Sequence, residues 1–559
     1  EYMYVDGIPV AINGEKNMLQ VIRKTGVKLP TFCYHTDLSI YGACRMCMVE
    51  DERGNLYTAC STPPRAGMSI KTNTARLRKY RKNILELLLA NHCRDCTTCA
   101  NNKSCKLQDL AVRFNIEGVR FPNRADDNKV TNSSASIVFD SGKCILCGDC
   151  VRTCHEVQNV GAIDFAFRGS KMLISTAFGK PLSETMCVGC GQCAVACPTG
   201  AITARSEIQK VWDAISNPSV KTVVQVAPAV RVALGNMVGI PEGKDVSGLI
   251  FAALRKMGFD EVFDTSFGAD ITVLEESKEF LERLKEGKRL PIITSCCPAW
   301  IQYCEKKHPE LMENVSTCRS PMEMFASVIK EERQERGKKL FHVAVMPCTA
   351  KKFEAQREEF LGKDGSRNVD AVITTDELTH MLKEAGILLN EIDPEPVDHP
   401  YDNASGAAVI FGVTGGVTEA VLRNVVKDKS RSALLKLSNV GERGNEGLKI
   451  FELTTEDGVG LRIGVASGLA NAEKLLGMLK NGEKFDIIEI MACPGGCVAG
   501  GGQPFVHAEV RKTRGKGLYD TDRMLSIRHS ESNASVQALY DRLLKGREHE
   551  LLHVHYKKK

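Results

Sequence analysis

The sequence predicts a multidomain α+β protein, with small cysteine-rich domains in its N-terminal third followed by one larger α/β domain. The chain has 559 residues, which at about 150 residues per domain is enough for three or four domains. Of its 23 cysteines, 16 lie between Cys33 and Cys197. From about residue 207 onward, short apolar runs alternate with helical patterns, which is typical of α/β domains with mainly parallel sheets.

The composition excludes several classes of function. A formal net charge of +5 is too small to indicate a nucleic-acid-binding arm or a polybasic membrane surface. No apolar stretch approaches the roughly 18 residues of a membrane span. The first residues lack the pattern of a signal peptide, which favours a cytoplasmic location. Clustered cysteines in such a chain indicate metal or iron–sulfur sites rather than a disulfide scaffold.

A repeated cysteine pattern gives the strongest signal and marks residues 126–206 as a two-cluster, ferredoxin-like domain. Each copy has the spacing C-x2-C-x2-C-x3-C, which is the bacterial run for two four-iron clusters, and the fourth cysteine of each copy ligates the other cluster. Structural zinc is the alternative, since CxxC pairs also bind zinc. One cluster is expected on Cys144, Cys147, Cys150 and Cys197, and the other on Cys187, Cys190, Cys193 and Cys154.

A different cysteine pattern lies in residues 1–77, which we interpret as a small β-rich domain. Its four cysteines are Cys33, Cys44, Cys47 and Cys60. Four thiolates suit a two-iron cluster, although the spacing differs from the plant-type ferredoxin pattern, and a zinc site stays open as the alternative. The β-rich context and the neighbouring clusters favour a two-iron ferredoxin-like domain.

A third set of candidate ligands follows a predicted helix over residues 75–92 and assigns residues 78–125 to a separate domain. It consists of His92, Cys96, Cys99 and Cys105. Three thiolates and one imidazole can hold a four-iron cubane or a zinc ion. Cys93 could replace His92 as the ligand, and His92 could equally be an ordinary residue at a helix end.

The last domain, residues 207–559, contains short apolar runs that predict buried strands at 223–228, 290–297, 341–348, 369–375 and 485–493. Three of these runs end directly in Cys297, Cys348 and Cys493. Ligands of open α/β sheets bind beyond the carboxyl ends of the strands. We therefore expect these three cysteines to share one site.

Three segments of this last domain, 294–300, 346–354 and 489–504, resemble the signature segments of iron-only (FeFe) hydrogenases, in the same order. The cysteine-rich front resembles that of the longer clostridial-type members, and its first part is similar to the large peripheral-arm subunit of respiratory NADH dehydrogenases. The resemblance covers essentially the whole chain. It implies that residues 207–559 form an H-cluster catalytic domain and that the protein catalyses the reversible reduction of protons to H2.

The resemblance also implies the cofactors. The H-cluster would combine a four-iron cubane with a two-iron subcluster carrying CO, cyanide and an azadithiolate, and Cys497 would bridge the two parts. One 2Fe-2S cluster and three accessory 4Fe-4S clusters would carry electrons. The site at His92 would then be a cubane without Cys93 as a ligand. The cubane of the H-cluster would be held by Cys297, Cys348, Cys493 and Cys497.

A proton path is also implied. Glu276, Glu279 and Arg283 are spaced so that they share one face of a helix predicted over residues 271–283. Such a face is ordinarily solvated and charged, and the residue spacing leaves that alternative open. The family path maps onto Cys296, Glu276, Ser316, Glu279 and Arg283, with the Cys296 thiol nearest the cofactor.

The resemblance further assigns residues around the cofactor. Lys351 is expected to hydrogen-bond a cyanide, Met346 to lie near the bridging CO, and Phe411 and Met491 to lie close by. The chain departs from well-studied clostridial members at three positions, which are Ala229 and Ala350 in place of Ser and Met322 in place of Gln. Each change removes a hydrogen-bonding side chain, so cyanide solvation, potential and catalytic bias are expected to differ.

Two other functions fit the same fold, namely a non-catalytic iron–sulfur electron-transfer or assembly protein, and an H2 sensor. Intact Cys296, Lys351 and Cys497 favour the enzyme. The expected electron partner is ferredoxin or, alternatively, flavin- and NAD-binding subunits of a larger complex. Residues 411–416 lack the dinucleotide-binding fingerprint, so NAD chemistry would lie on another chain. We expect oxygen to damage the cofactor and the compartment to be anaerobic.

Overall fold

The computed structural model describes residues 1–125, 131–362, 364–437, 443, 447–504 and 508–556. The chain forms two compact units. The first, the N-terminal unit, comprises Glu1–Glu156, Gly161–Thr185 and Ala196–Thr203. The second, the catalytic unit, comprises Val157–Val160, Met186–Val195 and Ala204–Lys559. The catalytic unit therefore takes up two short segments from the sequence that we predicted to be the two-cluster domain.

The N-terminal unit consists of short strands and helices between long loops. Its elements are β1 (Tyr2–Val5), β2 (Ile8–Ala11), α1 (Met18–Arg23), β3 (Met48–Asp51), β4 (Leu56–Thr58), β5 (Ser69–Lys71), α2 (Ala75–Ala90), α3 (Lys106–Arg113), β6 (Thr131–Ser133), β7 (Ile137–Asp140), α4 (Asp149–Arg152), β8 (Asp164–Ala166) and β9 (Leu173–Ser175). Helix α5 (Gln192–Ala196) and strand β10 (Ile202–Ala204) follow where the chain passes between the units.

A five-stranded sheet in the order β2-β1-β5-β3-β4 builds the first part of this unit. Strands β1 and β2 form an antiparallel hairpin in which Met3 pairs with Val10, because Gly7 adopts the positive φ of 84° that the turn needs. Alternate side chains of the hairpin are buried, and they pack on helix α1. Cys47 and Cys60 belong to the same apolar core. The β-rich interpretation of residues 1–77 agrees with this sheet.

The polar connector predicted over residues 123–136 is described in part. Strand β6 lies within it and pairs antiparallel with β7, with Asn132 opposite Phe139. Residues 126–130 lie outside the described residues, and the predicted boundary between positions 125 and 126 falls beside them. The predicted helix over 75–92 is observed as α2, with the Thr74 hydroxyl accepting a hydrogen bond from the Leu77 amide as its N-cap.

The catalytic unit alternates strands with longer helices. In chain order these are α6 (Ile208–Ile215), β11 (Val220–Val226), α7 (Ser247–Met257), β12 (Glu261–Asp264), α8 (Ser266–Glu286), β13 (Ile292–Ile293), α9 (Pro298–Lys307), α10 (Pro321–Arg333), β14 (Lys339–Met346), α11 (Ala350–Glu354), β15 (Ala371–Thr374), α12 (Thr375–Glu384), α13 (Gly406–Val409), α14 (Gly416–Val425), α15 (Arg431–Leu437), β16 (Leu448–Thr454), β17 (Gly460–Ser467), α16 (Leu469–Lys480), β18 (Ile487–Met491), α17 (Ala508–Met524), α18 (Ala534–Leu539) and α19 (Glu548–Leu552).

Two four-stranded sheets form the centre of this unit, in the orders β12-β11-β14-β15 and β13-β18-β17-β16. The first sheet is parallel throughout, with Val224 opposite Val343, and its strands are almost wholly buried apolar runs. In the second sheet only the pair β16 and β17 is antiparallel among the described strands. The prediction of an α/β domain with mainly parallel sheets is confirmed, and each of the five predicted runs overlaps an observed strand.

Helix α8 is the longest of the described helices, and it is buried along most of its length. Gly268 lies where an added Cβ would come within 2.5 Å of the Pro321 carbonyl oxygen, so α8 and α10 approach each other closely. The side of α8 that carries Glu276 and Glu279 is therefore interior rather than solvated. None of the helices in the described part of the chain is long and apolar enough to span a membrane.

Candidate functional site

The four predicted ligand cysteines of the catalytic unit line one apolar cavity of about 90 Å³. Cys348 and Cys493 each follow the carboxyl end of a parallel strand, β14 and β18, by two residues, and Cys297 immediately precedes α9. The fourth, Cys497, lies in the turn after Cys493. Other lining residues are Ala227, Pro228, Ala229, Thr265, Cys296, Pro298, Pro321, Met322, Met346, Pro347, Lys351, Phe411, Gly412, Met491, Ala492, Gly496 and Gly500.

The glycines of the last cysteine segment allow backbone to pack directly against backbone. Gly496 has a φ of 95°, and an added Cβ would come within 2.6 Å of the Thr414 amide nitrogen. At Gly500 the same atom would come within 2.0 Å of the Pro347 carbonyl oxygen. Larger residues would push Cys497 away from the Cys348 loop. This contact explains in physical terms why the segment is so rich in glycine.

The protein surroundings of the four thiols disfavour the ionised form that ligates a metal. Burial raises the pKa of Cys297, Cys348 and Cys493, and it raises that of Cys497 as well. The other thiols add to the increase at Cys348, Cys493 and Cys497 by charge repulsion. The Ala492 amide donates to the Cys297 sulfur at 3.4 Å, as amides do to cluster-ligating sulfurs. This donor set fits an iron–sulfur cluster, because soft thiolates bind iron and its positive charge offsets theirs.

Lys351 is the one lysine or arginine in the lining of this cavity. Its ammonium group donates to a Glu354 carboxylate oxygen at 2.6 Å and to the Cys296 carbonyl oxygen at 3.4 Å. Burial alone would lower the pKa of Lys351, but the Glu354 carboxylate outweighs burial and the net pKa is raised. A fixed positive charge at the cavity wall suits an anionic ligand of the bound group.

The predicted positions around the cofactor are all brought to this cavity. Met346, Phe411, Met491 and Ala229 line it, and so does Met322. Ala350 is fully buried beside them at the start of α11, in the second apolar cluster of the unit. The three departures from the clostridial pattern are therefore interior positions, where a missing hydroxyl or amide group removes a hydrogen bond rather than a solvent contact.

Glu279 is the centre of a hydrogen-bonded group on α8. Its carboxylate accepts from the Ser316 hydroxyl at 2.8 Å, from the Thr317 amide at 3.0 and 3.2 Å, and from the Arg283 guanidinium at 2.5 Å. Arg283 is 1% exposed. The alternative of a solvated charged face does not describe these residues, because three of the predicted path residues are in direct contact and buried.

Glu276 and Cys296 are the inner residues of the predicted proton path. Burial, followed by the charges of Glu279 and Glu489, raises the pKa of Glu276 to about 8, so this carboxyl group is protonated at neutral pH. One of its oxygens, Oε2, has no hydrogen-bond partner among the described residues. Burial also raises the pKa of the Cys296 thiol, and Glu276 adds to the increase. Cys296 lines the cavity and packs against Met491 and Phe411.

In the N-terminal unit the four cysteines predicted to hold the two-iron cluster are linked by hydrogen bonds from backbone amides to sulfur. The Cys44 amide donates to the Cys33 sulfur at 3.4 Å, the Cys60 amide to the Cys47 sulfur at 3.5 Å, and the Phe32 amide to the Cys44 sulfur at 3.4 Å. Hydrogen bonding from Cys44 and Cys60 lowers the pKa of the Cys33 thiol. Four neighbouring cysteines, three of whose sulfurs accept from backbone amides, fit a two-iron cluster.

His92 presents a free ring nitrogen. Its Nδ1 accepts from the Arg94 amide at 3.2 Å, whereas the buried Nε2 has no hydrogen-bond partner in the described chain. Burial lowers the pKa of His92, which keeps the imidazole in the neutral form that ligates metals. Burial raises the pKa of Cys96 and of Cys105, and charge repulsion from Cys99 adds to both increases. The free ring nitrogen is the observation that favours His92 over Cys93 as the fourth donor.

The two copies of the repeated motif contribute to different units. Cys144, Cys147, Cys150 and Cys197 line one small cavity of the N-terminal unit. Cys187, Cys190 and Cys193 lie in the Met186–Val195 segment of the catalytic unit, while Cys154 belongs to the N-terminal unit. The Ala162 amide donates to the Cys154 sulfur at 3.3 Å, which is the pattern seen at the other ligand sites.

The Met186–Val195 segment packs directly on the loops of the candidate active site. The Thr349 hydroxyl, beside Cys348, donates to the Gly189 carbonyl oxygen at 2.8 Å. Gly501 meets the Cys190 backbone so closely that an added Cβ would come within 2.3 Å of the Cys190 carbonyl oxygen. The Lys306 ammonium, near the end of α9, donates to the Cys187 carbonyl oxygen at 2.8 Å. One predicted accessory-cluster site thus adjoins the cavity through backbone contacts.

Sequence reasoning missed several residues that shape the site. Glu354 holds Lys351, Thr317 holds Glu279, and Gln503 donates to the Ala229 carbonyl oxygen at 3.0 Å. Glu489 is buried and accepts from the Gly415 and Thr418 amides at 2.7 and 2.8 Å, which fixes the start of α14. The spacing of Lys351 and Glu354, three residues apart on one helix, was the available signal for that pair.

Comparison with known proteins agrees with this geometry. Residues 220–501 match the family described as iron only hydrogenase large subunit, C-terminal domain, and residues 508–559 match the iron hydrogenase small subunit. The front matches a 2Fe-2S iron-sulfur cluster binding domain over 2–75, an NADH-ubiquinone oxidoreductase-G iron-sulfur binding region over 81–120, and a 4Fe-4S dicluster domain over 143–201.

Similar proteins cover the whole chain. The NADP-reducing hydrogenase subunit HndD of Solidesulfovibrio fructosivorans is 41% identical over 577 residues, spanning 99% of this chain and 98% of that protein. Iron hydrogenase 1 of Clostridium pasteurianum is 34% identical, spanning 99% of each. A solved variant of [FeFe]-hydrogenase HydA1 from Chlamydomonas reinhardtii is 38% identical with a TM-score of 0.52, covering 63% of this chain and 99% of that one. The chain belongs to the iron-only hydrogenases and carries iron–sulfur cluster domains at its N-terminus.

Proposed function

We propose that this protein interconverts H2 with protons and electrons at an H-cluster held by Cys297, Cys348, Cys493 and Cys497. The observation that supports this most is the convergence of these four thiols and one buried ammonium group on a single apolar cavity, which Cys296 also lines. When bound, the H-cluster would supply a low-valent iron site that combines protons with electrons. An electron-transfer or assembly protein would have no use for a proton donor at the same cavity.

The chain's own residues would hold and move the proton. The Cys296 thiol is the donor at the cavity wall, and Glu276, protonated at neutral pH, is the next acid outward. Ser316 then links to the Glu279 carboxylate, which Arg283 fixes in place. Lys351, anchored by Glu354, presents its charge to the cyanide ligand that the family resemblance implies. The apolar residues around the cavity exclude bulk water, which strengthens these interactions.

The accessory sites would deliver the electrons. We assign residues 1–77 to a 2Fe-2S domain, 78–125 to the His92 cluster domain, 126–206 to the two-cluster domain and 207–559 to the catalytic domain. The contact of the Met186–Val195 segment with Thr349 and Gly501 supports this cluster as the last step before the active site. Short tunnelling distances through packed backbone favour such a transfer.

The electron partner is proposed from the relatives. One of them is named a subunit of an NADP-reducing hydrogenase, and we propose that this chain likewise exchanges electrons with a flavin- and nicotinamide-binding partner subunit. The match of residues 81–120 to an NADH-ubiquinone oxidoreductase region supports this docking role. Soluble ferredoxin is the second candidate partner. Buried Ala229, Ala350 and Met322 would alter the catalytic bias relative to clostridial members.

The experiment is anaerobic production with the cofactor-maturation proteins, followed by H2 evolution and uptake assays with ferredoxin, NADH and NADPH as separate electron carriers. Iron analysis and infrared bands of CO and cyanide report the cofactor directly. Cys497→Ser is expected to abolish these bands and turnover. Cys304→Ser is the control, because Cys304 is a buried cysteine of the same unit that lies outside the cavity lining. A fully matured protein without H2 activity would refute the proposal.

A further inference from the structure

The outer end of the proton path lacks an obvious exchange with solvent. Arg283 follows Glu279 in the family path, but a guanidinium group keeps its proton throughout the accessible pH range. Its two Nη groups donate to the Glu279 carboxylate and to the carbonyl oxygens of Arg289, Asn314 and Val315, and its buried Nε has no hydrogen-bond partner in the described chain. Arg283 is 1% exposed. It is therefore a positioning residue for Glu279, and the proton needs another way out.

The C-terminal segment brings a histidine to this place. Backbone hydrogen bonds join the Arg319 amide to the Leu552 carbonyl oxygen at 2.8 Å and the Val554 amide to the Thr317 carbonyl oxygen at 2.7 Å. They form an antiparallel bridge in which Cys318 is opposite His553. The His553 ring is thereby fixed next to the residues that hold Glu279, although the two lie 274 positions apart in the sequence.

The His553 ring is hydrogen-bonded on both nitrogens. Nδ1 lies 2.8 Å from the Thr317 hydroxyl oxygen, and Nε2 lies 2.9 Å from a Glu275 carboxylate oxygen. One ring nitrogen of His553, the Cys318 sulfur and one carboxylate oxygen of Glu279 all lie within 4.8 Å of one another. A single water molecule can bridge such a gap with two hydrogen bonds. Histidine is also the side chain that gains and loses protons near neutral pH.

A second histidine continues the connection to the surface. His549 and His553 lie one helical turn apart around α19, and their ring centroids are 4.8 Å apart. His549 is exposed, whereas His553 is 8% exposed. The buried carboxylate, the buried imidazole and the exposed imidazole thus form a series that ends in solvent.

We propose that His553 exchanges protons between Glu279 and solvent, with His549 as the exposed end of the route and Arg283 as the residue that positions Glu279. The inference rests on the proposed function. During H2 evolution the His553 imidazolium loses one proton to the Glu279 carboxylate and regains one from water or from His549, and during H2 oxidation the proton moves in the opposite direction. No electron and no bond between heavy atoms changes in this step.

Charged groups of both signs lie around the His553 ring. Two of them are the α8 carboxylates of Glu275 and Glu279, and a third is the Arg319 guanidinium, which donates to the His553 carbonyl oxygen. Hydrogen bonds from His553 and Tyr540 outweigh burial and lower the pKa of Glu275, so this carboxylate stays ionised beside the ring. The titratable or charged groups around the ring are Glu275, Lys278, Glu279, Cys318, Arg319, Tyr540, Glu548, His549 and Glu550.

The test compares matured holoenzyme variants for kcat of H2 evolution across pH in weak buffer. In His553→Gln the amide can still bond Thr317 and Glu275 but cannot carry a proton. We expect kcat to fall about tenfold or more, with partial recovery on addition of imidazole, and intact infrared bands of CO and cyanide. Infrared difference spectra should show that the Glu279 carboxyl band no longer follows a change of bulk pH on the time scale of turnover.

His555→Gln is the matched control, because His555 lies two residues further along the same segment and is exposed. It should behave as the unmodified enzyme. If His553→Gln matches this control while Glu279→Gln is inactive, the proton leaves elsewhere and the inference is wrong, but the proposed function stands. If Glu279→Gln also retains full turnover, the relay in the proposed function is wrong. Should His553→Gln fail to fold, a buffer-dependent loss in His549→Gln supports the route, and its absence refutes it.

Discussion

Replacing Glu276 by glutamine tests the inner proton step most directly. Burial and the charges of Glu279 and Glu489 raise the pKa of Glu276 to about 8. The carboxyl group is then about nine-tenths protonated at pH 7 and about one-tenth protonated at pH 9. H2 evolution needs the protonated acid as donor to Cys296, so its rate should be level below about pH 7 and fall as pH rises through 8. H2 oxidation needs the carboxylate and should rise through the same range.

Glutamine has nearly the same shape but no transferable proton, so Glu276→Gln should lower kcat in both directions by about 10² to 10⁴. The assay is H2 evolution and uptake with a saturating artificial electron carrier between about pH 6 and 9.5, with infrared spectra to confirm the cofactor. Glu282→Gln is the control, because Glu282 lies on the same helix and is exposed. A Glu276→Gln enzyme with ordinary turnover, or an unmodified enzyme without a change near pH 8, would refute the reasoning.

The same substitution should have the opposite effect on stability. The pKa of Glu276 in the folded state, about 8, lies above the ordinary value of 4.5 for a solvated glutamate, so the folded protein binds more protons than the unfolded chain between these two pH values. Stability conferred by the protonated form is complete below about pH 4.5 and declines as pH rises toward 8, by an amount on the order of 5 kcal/mol. Glu276→Gln removes this decline, and its thermal inactivation at pH 8 should be slower than that of the unmodified enzyme.

Three further substitutions test other parts of the site. Lys351→Met leaves the Glu354 carboxylate buried without its ammonium partner, which should lower the free energy of unfolding by about 3–5 kcal/mol and abolish turnover. The double variant Lys351→Met with Glu354→Gln should regain stability but no activity. Denaturation measures the stability of both variants, and gas evolution measures their activity. His92→Ala should remove one four-iron cluster, read as a loss of iron and of one component of the reduced electron paramagnetic resonance spectrum. Gly501→Ala should displace the Cys190 backbone and slow electron delivery from the accessory clusters, while turnover with a small carrier that reduces the active site directly persists.

Each of these has a distinct contrary result. A double variant at Lys351 and Glu354 that is no more stable than the single variant would show that the pair is not electrostatically coupled. A His92→Ala protein with unchanged iron content, together with iron loss in Cys93→Ala, would make Cys93 the ligand. Equal rates with both kinds of electron carrier in Gly501→Ala would show that this contact does not matter for electron delivery.

Much of the fold followed from local patterns. The buried strands β11, β14 and β18 are runs of apolar residues bounded by proline or cysteine, and their parallel pairing follows from the helices between them. The hairpin of β1 and β2 was less evident, because an alternating run with a central glycine suits either one strand or two. The assignment of Val157–Val160 and Met186–Val195 to the catalytic unit was not predictable, since it depends on tertiary contacts that no local pattern encodes.

The site was predictable to the extent that its chemistry lies in rare residues at fixed spacing. Cysteines at strand ends predicted a shared cavity, and the structure brings Cys297, Cys348 and Cys493 together there. Partners that act through ordinary carboxylates were harder to predict, because glutamates are abundant. The i, i+3 spacing from Lys351 was the one signal for Glu354, and Glu489 has no distinctive spacing. The approach of His553 to Glu279 depends on a backbone bridge between segments far apart in sequence.

The close seating of Met186–Val195 on the active-site loops has a consequence for engineering. A shortened enzyme that begins at residue 204 would lose the carbonyl oxygen that accepts from the Thr349 hydroxyl, and it would lose the backbone that covers Gly501. Truncation at that point therefore exposes packed backbone of the catalytic unit, and a shortened protein would need substitutions that cover it. Exchange of the electron-transfer domains between such enzymes should succeed best when the Met186–Val195 segment is kept from the same protein as the catalytic unit.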